Sequence, residues 1–254
     1  MTFILNGVWK NEYGSSMTLE VSDAGQIVGE YQSTTGASGT YLLVGHCRPH
    51  NPDQQLGQPL VLSIFWRPID SSAEDDGVHW VSTYCGQLNS NGEMTVINTL
   101  LTTTSYQAFE PGDYIDNLVF KKSASTPALV NLTPWQEKSE QNGNPINGVW
   151  SSDDMAIQLA LAVQNTTYGV LAGELSYQGE KIQVIGFTDT YANNNILQSL
   201  SLSGYMLTTL QPISLVGRMN LTEDRLLLSR WLANGTDADN AYFQANSMNW
   251  QLVK

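Results

Sequence analysis

Basic residues are scarce in this chain. Eleven Lys and Arg stand against 24 Asp and Glu in 254 residues, for a formal net charge of −13. Phosphate recognition needs a surplus of Lys and Arg, so nucleic acid is not an expected partner. Charge of either sign is low at 14%, while Asn, Gln, Ser, Thr and Gly abound. A helical bundle would instead be rich in Glu, Lys, Arg, Ala and Leu. No apolar run approaches the ~18 residues of a membrane helix. The opening, from Met1 to Gly14, has no basic region before its short apolar run. It does not read as a secretory signal, and the compartment is left open between cytoplasm and release without a conventional signal.

Reactive side chains are equally sparse. Cys47 and Cys85 are the two cysteines, too few for a disulfide framework, and are expected as free thiols. His46, His50 and His79 are the three histidines, without the spacing of a metal site. No Walker A, HExxH, CxxC or GxSxG motif occurs. No nucleophile–base pair is supported by spacing, so an enzyme is not expected, nor a cofactor.

What the chain does have is a repeat. Asn6-Gly7-Val8-Trp9 recurs as Asn147-Gly148-Val149-Trp150. Each leads into an alternating apolar stretch, Met17, Leu19 and Val21 in one copy and Met155, Ile157, Leu159 and Leu161 in the other. Gly29-Glu30 is followed by Gly173-Glu174, Val44-Gly45 by Ile185-Gly186, and Cys85-Gly86 by Val216-Gly217, in the same order. Collinear matches indicate a duplication. Between the copies, Ser123 to Pro145 carries Pro127, Pro134 and Pro145 and reads as a linker, with Trp135 expected to pin it to a surface. The expected domains are therefore 1–122 and 146–254, joined by 123–145.

Within each copy the period is two. His79 to Leu88 sets Trp80, Ser82 and Tyr84 on one face against Val81, Thr83 and Cys85 on the other. Turn signals recur at Asp23-Ala24-Gly25, Asp75-Asp76-Gly77, Asn89-Ser90-Asn91-Gly92 and Glu110-Pro111-Gly112-Asp113. Short strands at this spacing predict an all-β chain of two tandem eight-stranded antiparallel up-and-down β-barrels. Closure removes exposed sheet edges, and eight strands leave room for one small ligand.

Gly7-Val8-Trp9-Lys10-Asn11-Glu12-Tyr13-Gly14-Ser15-Ser16-Met17-Thr18 resembles the G-x-W-x-N-x-x-G-S-x-M-T signature of the avidin/streptavidin family of biotin-binding proteins. Gly29-Glu30-Tyr31-Gln32-Ser33, Phe65-Trp66, Gly86-Gln87 and Phe109 with Asn117 follow at family spacing, so the resemblance spans residues 6–122. It implies that Asn11, Ser15 and Tyr31 donate to a ureido oxygen, and that Ser33 and Asn117 accept the ureido N–H groups. It implies that Trp66 and Tyr84 form aromatic walls, that Ser82 meets the thioether or tail, and that Phe109 is a lid reaching a neighbouring subunit's site. Read without the resemblance, Asn11 and Ser15 are suitable turn residues and Tyr31 and Trp66 suitable core aromatics.

The departures are specific. Where the family has Trp-Leu-Leu-Thr, this chain has Thr99-Leu100-Leu101-Thr102, placing Thr99 in the position of the wall Trp. By analogy with truncation of a buried aromatic, that loss costs roughly 3–5 kcal/mol. Tyr13 stands where a small or aliphatic residue is usual. The loop Thr34 to Gly39 is Gly-rich, and Asp70 with Glu74 to Asp76 forms an acidic loop. In the second copy Leu175 replaces Tyr31, Tyr177 replaces Ser33, and Ser151 to Met155 reads as about three residues too short for the Asn/Ser loop. Trp231-Leu232 and Asn234-Gly235-Thr236 resemble the missing Trp element, with Tyr242 a candidate lid.

The expected function is non-catalytic binding of biotin or a biotin-like small molecule in the first barrel, with weakened affinity. The alternative is a defence- or toxin-like protein that binds protein or glycan through an avidin-like scaffold. Two barrels in one chain would form a built-in pseudo-dimer, open to further pairing.

Overall fold

The computed structural model describes residues 3–34, 37–69, 77–124, 143–192, 196–236 and 243–254. The first barrel comprises β1 (Gly7–Asn11), β2 (Ser16–Val21), β3 (Gln26–Ser33), β4 (Gly39–Cys47), β5 (Gln58–Pro68), β6 (Trp80–Leu88), β7 (Glu93–Thr102) and β8 (Gly112–Ala124). The second comprises β9 (Gly148–Ser151), β10 (Ile157–Asn165), β11 (Val170–Tyr177), β12 (Glu180–Thr188), β13 (Leu197–Met206), β14 (Gln211–Asn220), β15 (Arg225–Asn234) and β16 (Gln244–Val253). Each strand pairs antiparallel with the next, and both barrels close. Among the described residues no helix is long and apolar enough to cross a membrane.

The repeated Asn-Gly-Val-Trp is one structural device used twice. Trp9 Nε1 donates to the Leu5 carbonyl at 2.8 Å, and Trp150 Nε1 donates to the Ile146 carbonyl at 2.8 Å. Asn6 Oδ1 accepts the Val21 N–H, and Asn147 Oδ1 accepts the Val163 N–H. Lys122 and Lys254 place their ammonium groups over the two indoles, at 5.7 and 5.4 Å. Each Trp is thus buried in the core of its barrel with its polar edge satisfied, as a buried indole requires. Gly86 and Gly217 occupy matching rungs. A Cβ there would lie 2.0 and 1.9 Å from the carbonyl oxygens of Thr95 and Leu227, so only glycine lets the next strand approach so closely.

The ladder corrects one alignment. Trp9 pairs with Met17, and Trp150 pairs with Leu159, so Leu159 and not Met155 is the counterpart of Met17. The β9–β10 loop is therefore one residue longer than the β1–β2 loop, not three shorter. Sequence alternation alone permits such a slip by four, because any even offset keeps Met155, Ile157 and Leu159 on the same face.

β5 and β6 are buried on both faces. One face lines the first barrel and the other meets the second barrel. Leu42, Val44, Phe65, Val81 and Leu101 pack with Val170, Phe187 and Val216 in a single apolar cluster. Phe65 and Phe187 stack at 5.9 Å. Polar groups on this face find partners across it. Ser201 Oγ lies 2.9 Å from Ser63 Oγ and donates to the Ser82 carbonyl. Gln87 Nε2 donates to Thr236 Oγ1, and the Thr236 N–H donates back to Gln87 Oε1. Arg67 lies 3.9 Å over the Tyr191 ring.

Cys47 and Cys85 are free and buried. Burial pushes both thiols up to about 12. The linker with Trp135, the acidic loop at 70 and 74–76, and Tyr242 lie outside the described residues.

Candidate functional site

The lumen of the first barrel contains a cavity of about 410 Å³. That size falls within the ~300–1,000 Å³ of small-molecule sites. Asn11, Tyr13, Tyr31, Trp66, Tyr84 and Phe109 line it, together with Ala37, Trp80, Asn98, Leu100, Tyr114, Ile115, Asp116 and Leu118.

Asn11 ends β1, is buried and lines the cavity. Its Oδ1 accepts the backbone N–H groups of Tyr13 and Ser15 at 3.1 and 3.0 Å. With its oxygen tied to the loop, the amide offers its N–H₂ group as a donor. The same bonds shape the β1–β2 turn, so this residue builds the loop and presents a donor at once.

Ser15 is fully buried but does not line the cavity. Thr34 Oγ1 donates to the Tyr13 carbonyl at 2.9 Å, which uses its one proton. The 3.3 Å contact between Ser15 and Thr34 hydroxyls is then donated by Ser15, whose Oγ also accepts the Thr34 N–H. Ser15 therefore ties the β1–β2 loop to the start of the β3–β4 loop.

The aromatic wall is continuous. Tyr31 stands edge-on to Trp66 at 5.8 Å and to Tyr84 at 6.1 Å. Trp66 packs on Trp80 at 6.3 Å, and Trp80 on Phe109 at 4.9 Å. Burial, followed by the charge and hydrogen bond of Tyr31, raises the Tyr84 hydroxyl well above its ordinary range. Tyr84 is thus a neutral phenol at physiological pH. Ser82 Oγ accepts the Trp66 indole N–H at 2.9 Å, fixing the ring. Ser82 and Ser33 are buried and do not line the cavity.

Two positions shift by one residue. Asp116 and Asn117 are both exposed, but Asp116 lines the cavity together with Leu118 and Asn117 does not. Alternation along β8 requires this, because Leu118 and Phe120 belong to the lumenal core. Thr99 likewise faces away, toward Val216 and Leu228 of the second barrel, and Leu100 forms the wall. Phe109 packs on Trp80, Tyr106 and Tyr114 of its own barrel.

Sequence reasoning missed eight cavity residues, Trp80, Asn98, Leu100 and Asp116 together with Ala37, Tyr114, Ile115 and Leu118. The first was legible, since it shares the face of Ser82 and Tyr84. Asn98 carries a buried Oδ1 with no hydrogen-bond partner, which no sequence pattern announces. Among the described residues no group of three or more His, Cys, Asp or Glu is placed to hold a metal ion.

The Avidin family model matches residues 2–112. Over that stretch the first barrel is similar to the avidin family. The family is one of non-enzymatic binding proteins. A search of curated proteins finds no match. The family match takes in β1 to β7 and ends where β8 begins, so it reaches Asn11, Tyr31, Trp66, Tyr84 and Phe109 but not Asp116. The second barrel lies outside the match and has the same strand order. The avidin-like part is thus the barrel whose lumen holds the aromatic-lined cavity.

Proposed function

We propose that the first barrel is a non-catalytic binding site for biotin or a biotin-like ureido compound, held with weakened affinity. The observation that carries this reading is the Asn11 amide. Its oxygen is committed to the loop, and its N–H₂ group is available beside Tyr31 in an aromatic-walled cavity. A ureido oxygen rewards several preoriented donors in a dry site. Asn98 Oδ1, unpartnered, and the Asp116 carboxylate offer acceptors for ureido N–H groups. Leu100 in place of a wall Trp gives up aromatic contact area, which is the reason for weakened affinity.

The two barrels act as an intrachain pseudo-dimer, sharing the Phe65–Phe187 interface. A second reading, capture of a protein or glycan at the rim, is favoured by Tyr13 and Ile115, which are 53% and 66% exposed at the cavity mouth. Calorimetry of the intact chain with biotin separates the two. Heat that vanishes in Asn11→Ala/Tyr31→Phe supports the first. No heat at tens of micromolar protein overturns it, and a glycan array then tests the second.

A further inference from the structure

We propose that the second barrel binds a small carboxylate on Arg230. This residue shares the lumenal face of β15 with Leu228 and Leu232 and is 2% exposed. A guanidinium withdrawn from water is unfavourable unless its charge and donors are matched. Here they are not. Nη2 donates to the Asn246 side-chain oxygen at 2.6 Å, and Nε has no partner. Among the described residues no carboxylate forms an ion pair with it. The rings of Tyr177 and Trp250 lie 5.9 and 6.0 Å from the guanidinium, which eases the loss of hydration but accepts no proton. Trp250 is itself buried, and its indole N–H is also unpartnered. Two N–H donors, one of them charged, therefore lack an acceptor in the same part of the lumen.

The ladder makes the position meaningful. In the first barrel Tyr84, two residues before Gly86, pairs with Asn98. In the second, Leu215, two residues before Gly217, pairs with Arg230. Asn98 lines the first cavity with an unsatisfied acceptor, and Arg230 occupies the same rung with an unsatisfied donor. The missing partner is acceptor-only, anionic and forked, which describes a carboxylate. Leu175, Met206 and Leu215 belong to the apolar core of the same barrel, which suits an apolar attached group. This site is independent of the ureido reading, since it uses no residue of the first barrel.

Thermal unfolding of the intact chain in matched sodium propionate, propionamide and sodium chloride tests it. Propionate is expected to raise the Tm by mass action and propionamide is not. Arg230→Met should melt higher than the parent without propionate, having lost an unmatched buried charge, and should no longer respond. Arg230→Lys, which keeps charge but loses the fork, should bind propionate about ten-fold or more weakly by calorimetry. Retention of the response in Asn11→Ala/Tyr31→Phe would place it outside the first barrel. An equal shift with chloride overturns the carboxylate assignment. No response in the parent chain, or an undiminished response in Arg230→Met, overturns the site.

Discussion

His79 Nδ1 in the first barrel lies 2.6 Å from Asp189 Oδ2 in the second, and both side chains are buried. The barrels are thus joined by a polar lock set in an apolar interface. Removing one partner of a buried pair leaves the other uncompensated, at a cost of ~3–5 kcal/mol. His79→Ala should lose stability of that order in urea unfolding, and His79→Leu/Asp189→Leu much less. Equal losses for the two variants would show that packing, not pairing, matters there.

Asp116 and Asn117 give opposite expectations for ligand binding. Removing a charged acceptor from the cavity should weaken biotin binding about ten-fold or more in Asp116→Ala. Asn117→Ala, outside the cavity lining, should leave the affinity within about two-fold. Calorimetry with the two variants decides which residue faces the ligand. The reverse order would mean that β8 presents its other face.

Ser82 acts on the wall through Trp66. Ser82→Ala strands a buried indole N–H, which costs ~1–3 kcal/mol. The variant should unfold at lower denaturant and bind the ligand more weakly, with a blue- or red-shifted Trp emission reporting the released ring. Unchanged emission and affinity would remove Ser82 from the site's supporting structure.

His46 links the barrels to pH. Its Nδ1 lies 3.2 Å from Ser203 Oγ across the interface, and burial lowers its pKa from 6.5 to about 4. The unfolded chain therefore binds this proton more readily than the folded one. The contribution to stability is fully present above pH 6.5 and is lost as pH falls toward about 4. Its size is at most roughly 3.5 kcal/mol, at ~1.4 kcal/mol per pKa unit. His46→Gln should flatten the stability profile across that window, as followed by urea midpoints at successive pH values. An unaltered slope would assign the acid sensitivity to other groups.

The all-β character and the duplication were legible in the chain, and so were six of the fourteen cavity residues. Trp9, Asn11, Tyr31, Trp66 and Tyr84 sit in an ordered pattern whose period and spacing survive folding. The errors were errors of register. Asn117 for Asp116, Thr99 for Leu100 and Met155 for Leu159 each concern a strand where several offsets leave a plausible apolar face. A slip by one moves a side chain across the sheet, and composition cannot detect it.

The sequence by itself determined that two barrels form, because alternation, turn residues and the repeated Asn-Gly-Val-Trp are local and survive in any register. Only the tertiary structure decided what each lumen offers. Ser15 turns its hydroxyl to Thr34, Phe109 folds onto its own barrel, and Arg230 is buried without a counter-charge. Those outcomes depend on which donors meet which acceptors across strands distant in the chain. It is the closed geometry of the barrel that decides this.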